Sequence, residues 1–245
     1  MIYKNTNNYY NNTMILAWII VGLIIIGMII AGTAYTRTVK IIDKYSNLPS
    51  KLGCKAIDFA QVCSESFDLN LKFALTDKKY ENAYVPNKSI MILDKQVAYS
   101  NSVSAISVVA HEIGHAVQDK NGKFLLKLDM FMKTVFRVLK FLVIPIILAG
   151  IVMLFFPDYF LYGEILLLVS VGIWIFSLLT RLVTIPMEYE ASRIAYNILK
   201  DNRLLTRAEL KITKKILHAA ALTYVGAIFI NLLNFFRLIK LSFKS

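Results

Sequence analysis

The chain has 245 residues, of which 57% are hydrophobic, and a mean hydropathy of +0.56. A soluble domain of this size is close to half apolar, so the excess argues for a membrane protein. The formal net charge is +12. No nucleic-acid motif accompanies it, and beside long apolar runs it points to cytoplasmic loops and anionic lipid.

The first dozen residues are rich in Asn and Tyr and carry one charge, Lys4. Residues 14–35 follow without a charge, long enough to cross a bilayer as a helix. A cleaved signal peptide is the rival. The run is too long for one, and Arg37, Lys40 and Lys44 stand where a cleavage site needs small residues. The same basic residues place that side in the cytoplasm.

Residues 37–133 are the longest polar stretch. A short amphipathic helix is expected from about 50 to 67, with Leu52, Ile57, Ala60 and Val62 at helical spacing. Residues 69–75 and 89–94 read as two strands, separated by turn residues at 80–87. Cys54 and Cys63 lie in this basic segment and read as free thiols. Asn101 or Ser102 can cap a helix that starts near Val103 and stops at Asn121-Gly122. A strand edge beside that helix could hold an extended peptide by backbone pairing, or could be only part of a small α+β fold.

A second span is expected at 141–156, a turn at Pro157-Asp158 and a third span at 159–180, with Glu164 as an interfacial residue near its outer end. Residues 181–215 are polar and basic again, hence cytoplasmic. Residues 216–236 form a last apolar run, either a fourth span or an interfacial helix, because Arg237, Lys240 and Lys244 follow it.

The chemistry is concentrated in Ala110-His111-Glu112-Ile113-Gly114-His115-Ala116, an H-E-x-x-H pattern within the expected helix. Residues i and i+4 share a helix face, so His111 and His115 can reach one metal ion. Glu112 stands beside them as a candidate base, the arrangement of zinc peptidases. A catalytic zinc takes three protein ligands and keeps one position open. The charge-derived topology returns Met187-Glu188-Tyr189-Glu190-Ala191-Ser192 to the same side of the membrane. Either Glu188 or Glu190 can complete the set. On a helix Ser192 falls at i+4 from Glu188, where it could orient a ligand.

Val108-Val109-Ala110-His111-Glu112-Ile113-Gly114-His115-Ala116-Val117-Gln118 is followed by a membrane hairpin, by Ile185-Pro186-Met187-Glu188-Tyr189-Glu190-Ala191-Ser192-Arg193 and by Ala219-Ala220-Ala221-Leu222-Thr223-Tyr224-Val225. Together these resemble the YugP-like neutral zinc metallopeptidases of bacterial membranes, as does Lys44-Tyr45-Ser46-Asn47-Leu48-Pro49 after the first span. The resemblance covers nearly the whole chain. A more distant likeness to HtpX-type membrane proteases favours Glu188 over Glu190 as ligand and matches Ser192 to that group's Asp position. In the resemblance to the YugP-like family, Tyr224 matches a family position, as an oxyanion donor or a packing residue. Two positions depart from the pattern. Ala83-Tyr84-Val85-Pro86 stands where the family has His-Tyr-Asp-Pro, so no role of that His or Asp carries over. His218 stands where the family more usually has Asn, and reads as a membrane-boundary residue.

The expectation is a mainly α membrane protein with three to four transmembrane helices and a small cytoplasmic α+β zincin-like part. The anchor is 1–36, the metallopeptidase part 37–133, the hairpin 134–180, the segment with the third ligand 181–215, and the last helix and tail 216–245. The expected function is a multi-pass cell-membrane endopeptidase with its site on the cytoplasmic face. It would bind one Zn²⁺ per chain, with Glu112 as base, and act on a protein or peptide substrate at the lipid bilayer, not on nucleic acid. An intramembrane site-2-type protease is disfavoured, since a polar segment precedes the metal helix and no Asp-Gly pair occurs. A catalytically silent scaffold of peptidase ancestry is the alternative.

Overall fold

The computed structural model describes residues 22, 29 and 32–242. Most of the first apolar run therefore lies outside the described residues. Residues 32–44 form helix α1, followed by a turn. Helix α2 (Ala56–Ser66) comes next, then strands β1 (Lys72–Thr76), β2 (Ala83–Val85) and β3 (Ile90–Asp94), with a 3₁₀ turn at Pro86–Lys88. The remaining elements are helices α3 (Lys95–Ala98), α4 (Val103–Lys120), α5 (Phe124–Leu154), α6 (Phe160–Asp201) and α7 (Arg207–Ser242). Among the described residues the fold is mainly helical with one small mixed sheet.

The sheet order is β1-β3-β2, with β1 parallel and β2 antiparallel to β3. Two strands were expected and three form. The third is a three-residue strand among the turn residues of 80–87, too short to display an alternating pattern. It takes the sheet edge, so β3 is central.

Helix α4 is the pivot. Ser102 accepts a hydrogen bond from the Ala105 amide at 3.2 Å, capping the helix, and Gly122 (φ +61°) follows its end in a conformation that favours glycine. Ile106, Val109, Ala110 and Ile113 are fully buried. They pack in one core with Phe59 and Cys63 of α2, Met91 and Leu93 of β3, Leu199 of α6 and Leu217 of α7. At about 25 cal/mol per Å² of apolar surface removed from water, this burial is what orders α4.

Helices α5 and α6 form an antiparallel pair. Two of the described helical segments are long and apolar enough to cross a membrane, and they are these two. Their outward faces expose large apolar side chains, with Phe141 at 70% and Leu168 at 69%, a surface suited to lipid and not to water. A Cβ built on Gly163 would stand 2.8 Å from the Gly150 carbonyl oxygen, so the backbones meet at this pair of glycines. Both helices outrun their expected spans. Helix α5 begins at Phe124, so Lys127, Lys133, Arg137 and Lys140 ride on it, and α6 continues through Arg181 and Pro186 to Asp201. A charge and a proline read as stops in sequence. In the fold, packing of α6 against α4 and α7 carries the helix past both.

Candidate metal centre and active site

His111 and His115 lie on one face of α4, with ring centroids 4.7 Å apart and edge to face. Glu188, on α6, turns toward them. Its Oε2 lies 3.1 Å from His111 Nε2 and 3.4 Å from His115 Nε2. One donor atom from each of the three residues falls within 4.8 Å of the others.

The approach of α6 to α4 depends on Gly114, which sits between the two histidines. Any Cβ at that position would collide with the Ala191 carbonyl oxygen. Helix α6 therefore runs directly over Gly114, and Glu188, three residues before Ala191, faces the imidazoles.

The far nitrogen of each ring is also held. His115 Nδ1 lies 3.0 Å from Gln118 Oε1. The Gln118 amide nitrogen donates to the Met187 carbonyl at 3.0 Å and to Glu190 Oε2 at 3.1 Å. Gln118 thus presents its oxygen to the ring, so Nδ1 carries a proton and Nε2 is the nitrogen turned toward Glu188. His111 Nδ1 lies 3.3 Å from the Ser192 hydroxyl. Ser192 stands one helical turn beyond Glu188 and touches the ring at its far side.

Burial opposes a charge on His115, but the Glu188 hydrogen bond and charge outweigh it, and the imidazole pKa is raised. Glu188 is buried on the face of α6 turned toward α4, away from the exposed apolar stripe of that helix. Burial favours its neutral form, but hydrogen bonds from His111 and His115 dominate and hold it well below the usual carboxylate range. A buried carboxylate that stays ionised beside two outward-braced imidazoles is the donor chemistry a zinc ion takes. The residues present fit that metal.

Glu112 is buried, and its Oε2 accepts the Tyr84 backbone N–H at 2.8 Å. Tyr84 is the middle residue of β2, and its hydroxyl donates to Asp119 at 2.8 Å, so two bonds tie the strand to α4. Since this N–H points away from β3, the free edge of β2 faces the site. A cavity of about 430 Å³ lies here, lined by the two histidines, Glu112, Glu188, Tyr84 and Tyr224. Asp129 and Lys133 of α5 also reach it, paired at 2.6 Å.

The expected residues divide by position. His111, His115 and Glu188 come together, with Glu112 and Tyr224 on the same cavity and Ser192 behind His111. Glu190 points elsewhere. It pairs with Lys123 at 3.2 Å and reaches His115 only through Gln118. His218 is outside the cluster, its ring 6.2 Å from that of Tyr189. Two participants were not assigned from sequence. Gln118 falls at i+3 from His115, a spacing that could have singled it out. Tyr84 acts through a backbone N–H, which no side-chain pattern reveals.

No solved structure matches the chain. It is 30% identical over 210 residues to the "Putative membrane protease YugP" of Bacillus subtilis (strain 168), covering 81% of this chain and 85% of that protein. Residues 19–243 match the model of the family described as "Putative neutral zinc metallopeptidase", a stretch holding both histidines, the three glutamates and their braces, and to that family the chain belongs.

Proposed function

We propose that this chain is a membrane-anchored zinc endopeptidase that cleaves membrane or membrane-proximal proteins at the cytoplasmic face. The observation that carries it is the convergence of His111 Nε2, His115 Nε2 and Glu188 Oε2 beside a buried Glu112. These three residues would hold the ion, which supplies an activated water at neutral pH and polarises the scissile carbonyl. Glu112 takes the proton of the attacking water and returns it to the leaving amine. The Tyr84 N–H fixes the orientation of the Glu112 carboxylate. Gln118 and Ser192 keep the imidazole rings from turning. Tyr224 lines the cavity as the candidate donor to the developing oxyanion. The free edge of β2 supports an extended substrate segment alongside the site.

Zinc content and turnover of an unfolded protein, measured on the full chain in detergent, test the assignment. Glu112→Gln should retain about one zinc per chain and lose roughly 10²–10⁴-fold in rate. His111→Ala should lose both. Wild-type turnover by Glu112→Gln would refute the mechanism, and zinc without turnover in the unaltered protein would favour a scaffold. For the face, Asn87→Cys in a Cys54→Ser/Cys63→Ser background should react with an impermeant maleimide only after cells are opened.

A further inference from the structure

Behind the wall of α6 lies a second cavity, of about 650 Å³, between α6 and α7. Arg193 and Lys214 supply its positive charge, Tyr189 and Tyr196 its aromatic surface, and His218 stands at its side. One carboxylate, Glu190, also borders it, but Lys123 and the Gln118 amide already hold that group. The cavity therefore carries net positive charge over an apolar floor.

Its position along the helix is the second observation. Leu168, Ile175, Leu179 and Leu182 are exposed and recur every three to four residues, or two such steps, along α6. Pro186, Tyr189 and Arg193 continue the spacing into the cavity. One unbroken stripe thus runs from the membrane-length part of α6 to a basic, aromatic pocket. On α7, Lys214 comes two residues before the apolar run that starts at Ile216. That is where a lysine meets the headgroup layer. Side chains on a helix lean toward its N-terminus, so Arg193 leans back toward the bilayer.

We propose that this groove seats one anionic phospholipid, its phosphate between Arg193 and Lys214 and its acyl chains along the exposed stripe of α6. Tyr189, a turn nearer the bilayer than Arg193, flanks the glycerol region, and Tyr196, about a turn beyond Arg193, borders the headgroup, as aromatic residues do at membrane boundaries. The site lies one helix wall from the metal ligands. Ser192 borders the groove and touches His111, and Glu190 borders it and reaches His115 through Gln118. The proposal rests on the membrane reading of α6, not on peptidase activity.

Native mass spectrometry of the full chain in detergent tests it, with dioleoyl-phosphatidylglycerol, dioleoyl-phosphatidylcholine and inorganic phosphate as probes. One phosphatidylglycerol should be retained per chain in preference to phosphatidylcholine. Arg193→Gln with Lys214→Gln should weaken that retention about tenfold or more, since each basic residue near an anionic membrane surface contributes roughly fivefold in binding. Arg207→Gln with Lys211→Gln, the same charge change outside the groove, should leave it intact. Equal retention of the two lipids, no loss in the groove variant, or an equal loss in the control would overturn the site. Displacement of phosphatidylglycerol by inorganic phosphate at matched concentration would overturn a lipid as the occupant. All arms run equally well in Glu112→Gln, so failure here is distinct from failure of the peptidase assignment.

Discussion

At the scale of the residue, the site depends on what each ligand candidate does with its other end. His115 could rotate freely on an exposed helix. Here Gln118 receives its Nδ1 proton, and that amide is anchored in turn to α6. The histidine pair was legible because i and i+4 share a face. The Gln118 and Ser192 braces depend on α6 lying across α4, which no local pattern encodes. The cysteines make a simpler test. Both are free, as expected, Cys63 buried and Cys54 half-buried. Burial, with a smaller contribution from Cys54, pushes the Cys63 thiol up to about 12 from 9.0. The neutral thiol is thus the favoured form in the fold. Iodoacetamide at pH 8 should modify Cys54 and spare Cys63 in mapped peptides, and Cys63 should become reactive only as the chain unfolds. The linkage has the same sign. The Cys63 contribution to stability is intact below pH 9.0 and is lost between that value and about 12.

At the scale of the element, the decisive event is the crossing of α4 and α6. Gly114 reads in sequence as a weak point, since glycine costs a helix interior about 1 kcal/mol relative to alanine. The fold reverses that preference, because only a residue without Cβ lets the Ala191 carbonyl lie against α4. Gly114→Ala should lower stability by about 1–3 kcal/mol through overpacking. It should also weaken zinc binding by at least about tenfold, since α6 carries both Glu188 and Ser192. Thermal unfolding and a chelator competition measure the two effects. Unchanged zinc affinity would show that α6 does not position the third ligand through this contact. The short strand β2 teaches a related point. Its three residues have no readable period, and its placement comes from pairing with β3 and from the Tyr84–Glu112 bond. The strand edge beside the metal helix is therefore β2, not the more strand-like β3.

At the scale of the whole molecule, the hairpin of α5 and α6 leaves the α4 region and returns to it, and the return closes the site. Zinc bound only by the folded form adds roughly 2.7 kcal/mol at about 100 times its Kd. For a chain of this size the apparent Tm should rise by roughly 5–10 °C. The shift should be reversed by a chelator and absent in His111→Ala. The same zinc response in that variant would place the metal elsewhere. Legible in the residues alone were the helix carrying His111, Glu112 and His115, a cap at Asn101 or Ser102, and the two membrane-length helices, while the family followed from the resemblance of several motifs taken together. The helices and the cap rest on a local period, a cap residue or a run of apolar side chains, and such signals survive without the fold. The residues left Glu188 and Glu190 open and the resemblance favoured Glu188; the fold brings Glu188 to the imidazoles while Glu190 braces Gln118. The two carboxylates are two residues apart on one helix and differ by about 200° in direction. Which one faces α4 depends on how α6 is rotated when it packs over Gly114, and that rotation is set by contacts from distant parts of the chain.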